Sequence, residues 1–310
     1  MRLHQGQHVA LRSLLCVLLA AAVQASDVEA WWDFDHPKDS EQRFRQEVAV
    51  AEQNGDLNER GELMSQIARA QAMQGQFKAA QETLDQLQQE LPKLAPIVSV
   101  RFTLEQGRMI QALGDPKRAW RWYHAALQLA QKNKLDFFAI DAMHMMALTE
   151  KGQAALDWNL KAAALAEHSD AANADDWLGS LYNNVGWLYY DLKDYDKSLA
   201  YLKRAQAWHE AHGSDRPLLI ARWGVAKLLR LTGESAKALA IQLDLERAWK
   251  QHGTEDGFVY EEVAEGYFTE GNIDKAREYY SKAYEVMSKD TWLAQRDPAH
   301  LARLKKLANQ

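Results

Sequence analysis

The residues that could carry chemistry in this sequence are a histidine pair and a carboxylate cluster. His209 and His212 lie three residues apart in a predicted helix, so both imidazoles share one face and could hold the edge of a metal site. Glu261, Glu262 and Glu265 cluster on another helix, where paired carboxylates could act as acid and base. No third ligand accompanies the histidines, and the sequence has no phosphate-binding glycine loop, nucleophile elbow or zinc-protease motif. The sequence therefore predicts no catalytic residue, no metal site and no cofactor.

A second group of residues has the chemistry of a binding surface. Aromatic, amide and charged side chains recur at spacings of three and four residues on three predicted helices, which places each subset on one helix face. The candidate binding residues are Asn183, Asn184, Trp187, Tyr190, Arg222, Trp223, Lys227, Arg230, Glu261, Glu262 and Glu265. Earlier helices would present Arg69, Arg101, Arg108 and His144 in the same way.

The elements that position these residues follow an internal repeat. A small residue opens the second helix of each predicted hairpin, and these residues are Ala80, Ala119, Ala155, Ser198, Ala238 and Ala276. The intervals between them are 39, 36, 43, 40 and 38 residues. Few glycines and prolines interrupt a composition rich in Ala, Leu, Gln, Glu and Lys, which favours helices. Because the chain repeats one helical hairpin, we expect one extended array rather than a compact globule.

The clearest copy of the repeat runs from Leu181 to Ala205, with an aromatic residue, then a small one, then a tyrosine ahead of a short turn. This pattern resembles the tetratricopeptide repeat, and its period, longer than the common one of about 34 residues, is similar to that of kinesin light chain repeats. The whole chain also resembles bacterial tetratricopeptide proteins of unassigned function, notably at 66–70, 179–187 and 256–262. The resemblance implies an all-α, right-handed α-solenoid of about six helix-turn-helix repeats, with first helices lining a concave groove.

The predicted domain organisation has four parts. An extra helix at about 40–54 precedes repeats at about 57–290, and a polar capping helix at about 297–307 closes the solenoid. Residues 26–310 are therefore expected to form a single domain, preceded by a signal peptide at 1–25.

The N-terminal signal is read from an apolar run of 11 residues, 13–23, followed by Val23-Gln24-Ala25 as a cleavage motif. The run is too short to span a bilayer, although retention as an uncleaved anchor is an alternative. Cleavage would remove Cys16, the sole cysteine, so the exported protein would contain no thiol. We therefore expect a periplasmic or secreted protein with no stable membrane insertion. The acidic balance of the full sequence, a formal net charge of −6, does not favour nucleic acid as a partner.

The predicted function is that of a non-catalytic scaffold that holds a protein or peptide partner in the groove of repeats four to six. The pair Asn183 and Asn184 resembles the asparagines with which kinesin light chain repeats grip a peptide backbone, which implies peptide contact with Asn184 favoured by register. The alternative is that one asparagine bonds a neighbouring helix. A second hypothesis is a small-molecule sensor that uses the cations of repeat five beside the glutamates of repeat six. Those charges, however, could pair with each other between adjacent helices.

Overall fold

The computed structural model describes residues 28–213 and 215–310, so the predicted signal peptide at 1–25 lies outside the described part. Within that part the chain forms α-helices and short 3-10 turns, with no β-strand. The helices are α1 Pro37–Asn54, α2 Leu57–Met73, α3 Phe77–Glu90, α4 Pro96–Ala112, α5 Pro116–Lys132, α6 Asp136–Thr149, α7 Gly152–His168, α8 Leu178–Asp191, α9 Tyr195–His212, α10 Asp215–Leu231, α11 Ser235–Gln251, α12 Gly257–Thr269, α13 Ile273–Met287, α14 Thr291–Arg296 and α15 Pro298–Ala308.

Twelve of these helices pair into six hairpins, which run from α2–α3 to α12–α13. Each second helix packs against its own first helix and against the first helix of the next hairpin. This is the packing of a solenoid, in which every unit buries its apolar stripe on its neighbours. The predicted all-α tetratricopeptide-like solenoid of six hairpins is confirmed. We call the surface formed by α2, α4, α6, α8, α10 and α12 the first-helix face.

The turns inside the hairpins have a common construction. In four of them a glycine after the first helix adopts a left-handed conformation, with φ of 74° at Gly75, 87° at Gly114, 98° at Gly233 and 79° at Gly271. Hairpin four has Lys193 at this point, with φ of 63°. In hairpin two, the side chain of Asp115 follows the glycine and accepts a hydrogen bond from the backbone N–H of Arg118, which caps α5. The turns keep the two helices antiparallel and so fix which residues reach the first-helix face.

Glycines inside the helices allow close helix crossings. A Cβ on Gly107 would lie 2.5 Å from Cε1 of Tyr123, which is fully buried. The two helices of hairpin two therefore approach more closely than any residue with a side chain at this position would permit.

We expect Gly107→Ala to lower the free energy of unfolding by about 1–2 kcal/mol, because overpacking costs more than the roughly 1 kcal/mol of helix propensity that alanine adds. Thermal unfolding followed by circular dichroism measures this change. Gly224→Ala is the matched control, since its Cβ would lie 3.1 Å from the Trp187 ring and 3.3 Å from Leu202, where side chains can shift. A stabilised Gly107→Ala protein would contradict the close crossing.

Both ends of the hairpin array are covered. At the C-terminal end, Leu301 and Leu304 of α15 are buried in one apolar cluster with Tyr280 and Ala283 of α13. At the N-terminal end, α1 packs on α2, and Val28 of a 3-10 turn at Val28–Trp31 is buried beside it. Across residues 28–213 and 215–310, no helix combines the length and apolar character needed to cross a membrane.

Candidate functional site

Five rings form a continuous row across the C-terminal half of the first-helix face. Tyr190 and Trp187 of α8 have ring centroids 5.4 Å apart, and Trp187 lies 5.3 Å from Trp223 of α10. Trp223 lies 6.1 Å from Phe258 of α12, which in turn lies 6.4 Å from His300 of α15. These separations are those of aromatic rings in mutual contact. We call this set the aromatic row.

Hydrogen bonds fix the two indoles of the aromatic row. Nε1 of Trp187 donates to Oδ1 of Asn183 at 3.2 Å, one helical turn earlier. Nε1 of Trp223 donates to the carbonyl oxygen of Phe258 at 3.1 Å, which joins α10 to α12. Nζ of Lys227 lies 5.1 Å from the centroid of the Trp223 ring, within the range of a cation–π contact. The rings are therefore held in place before any ligand arrives.

An apolar cavity of ≈ 350 Å³ opens beside the row, between α10, the end of α11 and the start of α12. Its lining consists of Leu219, Ile220, Trp223, Trp249, Asp256 and Phe258. Ile220 and Phe258 are 44% and 43% exposed, which is high for large apolar side chains. The cavity is large enough to receive one bulky apolar side chain.

The cations of α10 are paired with the glutamates of α12. Nζ of Lys227 lies 3.0 Å from Oε1 of Glu262, and Nε of Arg230 lies 2.9 Å from Oε2 of the same carboxylate. Nη1 of Arg230 lies 3.9 Å from Oε2 of Glu265. Glu262 is only 3% exposed, so its charge depends on these two cations. Burial acts to lower the pKa of Arg230, but Glu262 and Glu265 raise it by more. The pKa of Arg230 therefore lies above its ordinary value.

The remaining glutamates of α12 are bound by the terminal helix. Oε2 of Glu261 lies 2.8 Å from Nε2 of His300, and its Oε1 accepts from Nη1 of Arg303 at 2.7 Å. Arg303 also contacts Glu265. These glutamates therefore join α15 to hairpin six. The glutamates of α12 are thus paired with cations of the helices on either side, α10 and α15. Arg222, by contrast, is half-buried and makes no ion pair with any residue that the structure describes.

The two asparagines have different surroundings. Nδ2 of Asn184 lies 3.4 Å from Nδ1 of His144 on the neighbouring first helix α6, whereas Asn183 holds the Trp187 indole. Burial lowers the pKa of His144 below its ordinary value, so the imidazole is neutral near pH 7. Asn184 thus makes the bond to a neighbouring helix that is the alternative to peptide contact for this pair.

The N-terminal half of the first-helix face carries buried ion pairs instead of a ring row. Nε of Arg101 lies 2.9 Å from Oε2 of Glu62, and its Nη1 lies 2.8 Å from Oε1 of Glu29. Nη2 of Arg108 donates to both carboxylate oxygens of Asp141, at 2.6 and 2.5 Å. Burial acts to raise the pKa of Asp141, but the charge and hydrogen bonds of Arg108, together with the charge of Arg69, outweigh it and hold that pKa below its ordinary value.

Residues 28–36, which precede α1, lie over this half of the face. Nε1 of Trp32 donates to Oε1 of Gln66 at 3.0 Å, and Trp32 stacks on Phe34 with centroids 4.9 Å apart. The guanidinium of Arg69 lies 5.1 Å from the centroid of each ring. Arg69 is thus covered by the chain itself, a contact that the sequence did not suggest.

Comparison with known proteins identifies the type of repeat in part of the chain. Residues 177–251, which span hairpins four and five, match the family model described as Tetratricopeptide repeat. The chain therefore contains tetratricopeptide repeats in hairpins four and five. No curated protein sequence matches it.

Several solved structures share its fold at low identity. A Signal Transduction ATPase with Numerous Domains, which carries a tetratricopeptide sensor and comes from Pyrococcus horikoshii, is 15% identical with a TM-score of 0.64, over 83% of this chain and 39% of that one. NprR in complex with its cognate peptide NprX is 15% identical with a TM-score of 0.50, over 91% and 84%. Putative kinesin light chain repeats of Podospora anserina are 14% identical with a TM-score of 0.50, over 62% and 95%. At these identities the likeness shows the fold.

The tetratricopeptide architecture brings some predicted site residues together and separates others. Trp187, Tyr190 and Trp223 form the aromatic row, whereas Lys227, Arg230 and the glutamates form the ion-pair network beside it. Phe258 and His300 belong to the site but were not among the candidates. Phe258 could have been found, because it lies 35 residues after Trp223, close to one repeat period.

Proposed function

We propose that this tetratricopeptide protein is a non-catalytic scaffold that holds a protein or peptide segment against the first-helix face of hairpins four to six. The observation that carries the proposal is the aromatic row with its adjoining cavity. Fixed aromatic rings supply most of the energy in many binding surfaces, because they bury a large area and lose little side-chain entropy. The likeness in fold to NprR, a protein whose structure holds its cognate peptide, supports a peptide as the ligand.

The small-molecule sensor has less support. Of the three cations on α10 that it would use, Lys227 and Arg230 are already paired with Glu262, which leaves only Arg222 without an ion pair among the described residues. An anionic ligand would have to displace a buried carboxylate from two cations, which costs several kcal/mol. The peptide scaffold requires no such exchange, since Phe258 is 43% exposed and Trp187 and Trp223 are only partly buried.

We also propose that the protein acts outside the cytoplasm. The support is the apolar run at 13–23 with the following cleavage motif. Cell fractionation tests this proposal, with recovery of a protein shortened at its N-terminus in the envelope or medium as the expected result. Recovery of the protein only in the cytoplasm, with residues 1–25 intact, would overturn the export proposal and leave the scaffold proposal untouched.

We expect Trp223→Ala to reduce the capture of a bound partner from an envelope extract by about tenfold or more, the effect of losing one central aromatic anchor. Asn184→Ala should reduce capture less, because its amide is already engaged with His144. Quantitative mass spectrometry of proteins bound to immobilised wild type and variants measures both effects. Trp292→Ala is the matched control, since Trp292 is 62% exposed and lies in α14 away from the aromatic row. Unchanged capture by folded Trp223→Ala would count against this surface.

A further inference from the structure

We infer that the cavity beside the aromatic row receives a basic side chain, lysine or arginine, from the partner segment. The inference rests on the proposed function, since it names the residue by which the partner would be anchored on this surface. The cavity is lined by Leu219, Ile220, Trp223, Trp249, Asp256 and Phe258. Three properties of that lining favour a basic side chain, namely its single charged group, its aromatic rings and its lack of free donors.

Asp256 is the one charged residue of this lining, and part of its carboxylate is unused. Its Oδ1 accepts hydrogen bonds from the backbone N–H groups of Phe258 and Val259, at 2.8 and 3.1 Å, and so caps α12. No residue that the structure describes donates to its Oδ2. A purely apolar occupant of the cavity would remove that oxygen from water without giving it a partner, which costs free energy. A cation would instead pair with it.

The apolar groups of the lining suit the two parts of a basic side chain. Leu219 and Ile220 offer aliphatic surface to its methylene stem, because lysine and arginine can bury their stems along such surface. Trp223, Trp249 and Phe258 supply aromatic rings, whose faces attract a cation. Three rings beside one carboxylate are therefore a suitable site for an ammonium or guanidinium group.

The lining offers little to an anion. Its side chains contain only two N–H donors, the indoles of Trp223 and Trp249. Nε1 of Trp223 already donates to the carbonyl oxygen of Phe258, and Nε1 of Trp249 is buried out of reach of solvent. A carboxylate placed here would meet the charge of Asp256 and no free donor from these side chains. An acidic residue is therefore disfavoured.

Two cations of the protein lie near this lining, and neither pairs with Asp256. Nζ of Lys227 lies 5.1 Å from the centroid of the Trp223 ring but also 3.0 Å from Oε1 of Glu262, its ion-pair partner. Arg216 lines an adjoining cavity that shares Asp256, yet it is exposed and makes no ion pair with any described residue. The carboxylate thus remains open to a cation from a partner. The net charge of the full sequence, −6, favours a basic partner as well.

An NMR titration of the purified protein with short peptides tests the inference, with the methyl resonances of Ile220 as the reporter of the cavity. The probes are nine-residue glycine–serine peptides, blocked at both ends, whose central residue is lysine, arginine, norleucine or glutamate. Norleucine reproduces the lysine stem without its charge. We expect the tighter-binding basic peptide to bind at least about tenfold more tightly than the norleucine peptide, and the glutamate peptide to bind most weakly.

Asp256→Asn separates the charge of this residue from its capping role, because asparagine caps helices about as well as aspartate does. The folded variant should bind the basic peptides about tenfold more weakly than the wild type, and the norleucine peptide within about threefold of it. Asp290→Asn is the matched control, since Asp290 caps α14 through two equivalent bonds, at 2.9 and 3.1 Å, and does not line the cavity. This control should leave every affinity within about threefold of the wild-type value.

The failure of the inference differs from the failure of the proposed function. If the norleucine peptide binds as tightly as the basic peptides, or if folded Asp256→Asn keeps the preference for them, the inference is overturned. Binding of the basic peptides without a shift of the Ile220 resonances would overturn it too, because the cavity would not be their site. If none of the peptides binds, the inference fails, while Trp223-dependent capture of a partner from an extract still decides the proposed function separately.

Discussion

Replacement of Arg108 by methionine should lower the free energy of unfolding by about 3–5 kcal/mol, the range for removal of one partner from a buried ion pair. Arg108 donates to both carboxylate oxygens of Asp141 and also contacts Glu105. Asp141 and Glu105 are 6% and 3% exposed, so neither carboxylate can recover hydration when the guanidinium is absent. Methionine fills much of the volume of the arginine stem, so the loss reports the missing charge rather than a cavity.

Urea unfolding followed by circular dichroism measures this loss, with Arg247→Met as the matched control. Arg247 pairs with Asp244 at 67% and 51% side-chain exposure, and such surface pairs contribute only about 0–1 kcal/mol. Equal losses in the two variants would show that burial of the Arg108 pair has no energetic consequence.

The cost of Arg108→Met should also depend on pH. In the wild type the pKa of Asp141 is lowered, so the stability from its pair is fully present above the ordinary pKa of aspartate and is lost as pH falls through the lowered value. In the variant, burial without Arg108 would raise this pKa, and protonation would relieve the buried charge as pH falls. The difference between wild type and variant should therefore shrink between pH 7 and about pH 4.5.

The hairpin array could be predicted because its signals are local. The small residues that open each second helix, such as Ala119 and Ala276, are dictated by close crossings within one hairpin. The glycines at Gly75, Gly114 and Gly233 mark turns that need a left-handed residue. Each signal lies within one repeat, so a single sequence reveals it.

Contacts between hairpins were harder to predict, because they depend on the register of one first helix on the next. They nevertheless follow a rule that the structure makes visible. Arg101 bonds Glu62 at a separation of 39 residues, Arg230 bonds Glu262 at 32, and Trp223 bonds the backbone of Phe258 at 35. Equivalent positions on adjacent first helices lie about one repeat apart. Opposite charges or paired rings at that separation are therefore a signal for contacts across hairpins.

Residues 28–36 belong to no repeat, and for that reason their position could not be predicted from the sequence. The predicted fold began with a helix near residue 40, whereas the observed helix begins at Pro37 and the preceding segment packs on the first-helix face. Trp32 and Phe34 lie against Arg69, a residue that had been considered for ligand binding. A single cation–π contact of this kind has no periodicity and no motif that a sequence could display.

Replacement of Glu262 by glutamine tests whether the charges of hairpins five and six serve the fold. Glu262 is buried between Lys227 and Arg230, so its neutralisation leaves two cations without their shared carboxylate. Because the side chains of those cations are 20% and 15% exposed, water can reach them in part, and we expect a loss of about 2–4 kcal/mol, toward the lower part of the range for buried pairs.

Denaturant unfolding of Glu262→Gln measures that loss, with Glu278→Gln as the matched control. Glu278 pairs with Lys282 at 58% and 37% exposure, so its loss should be about 0–1 kcal/mol. The two freed cations also lie beside the aromatic row, so Glu262→Gln should bind an acidic peptide more tightly than the wild type does. If Glu262→Gln keeps wild-type stability but no longer binds any peptide, Glu262 contacts the ligand. These charges would then belong to the binding surface rather than to the fold.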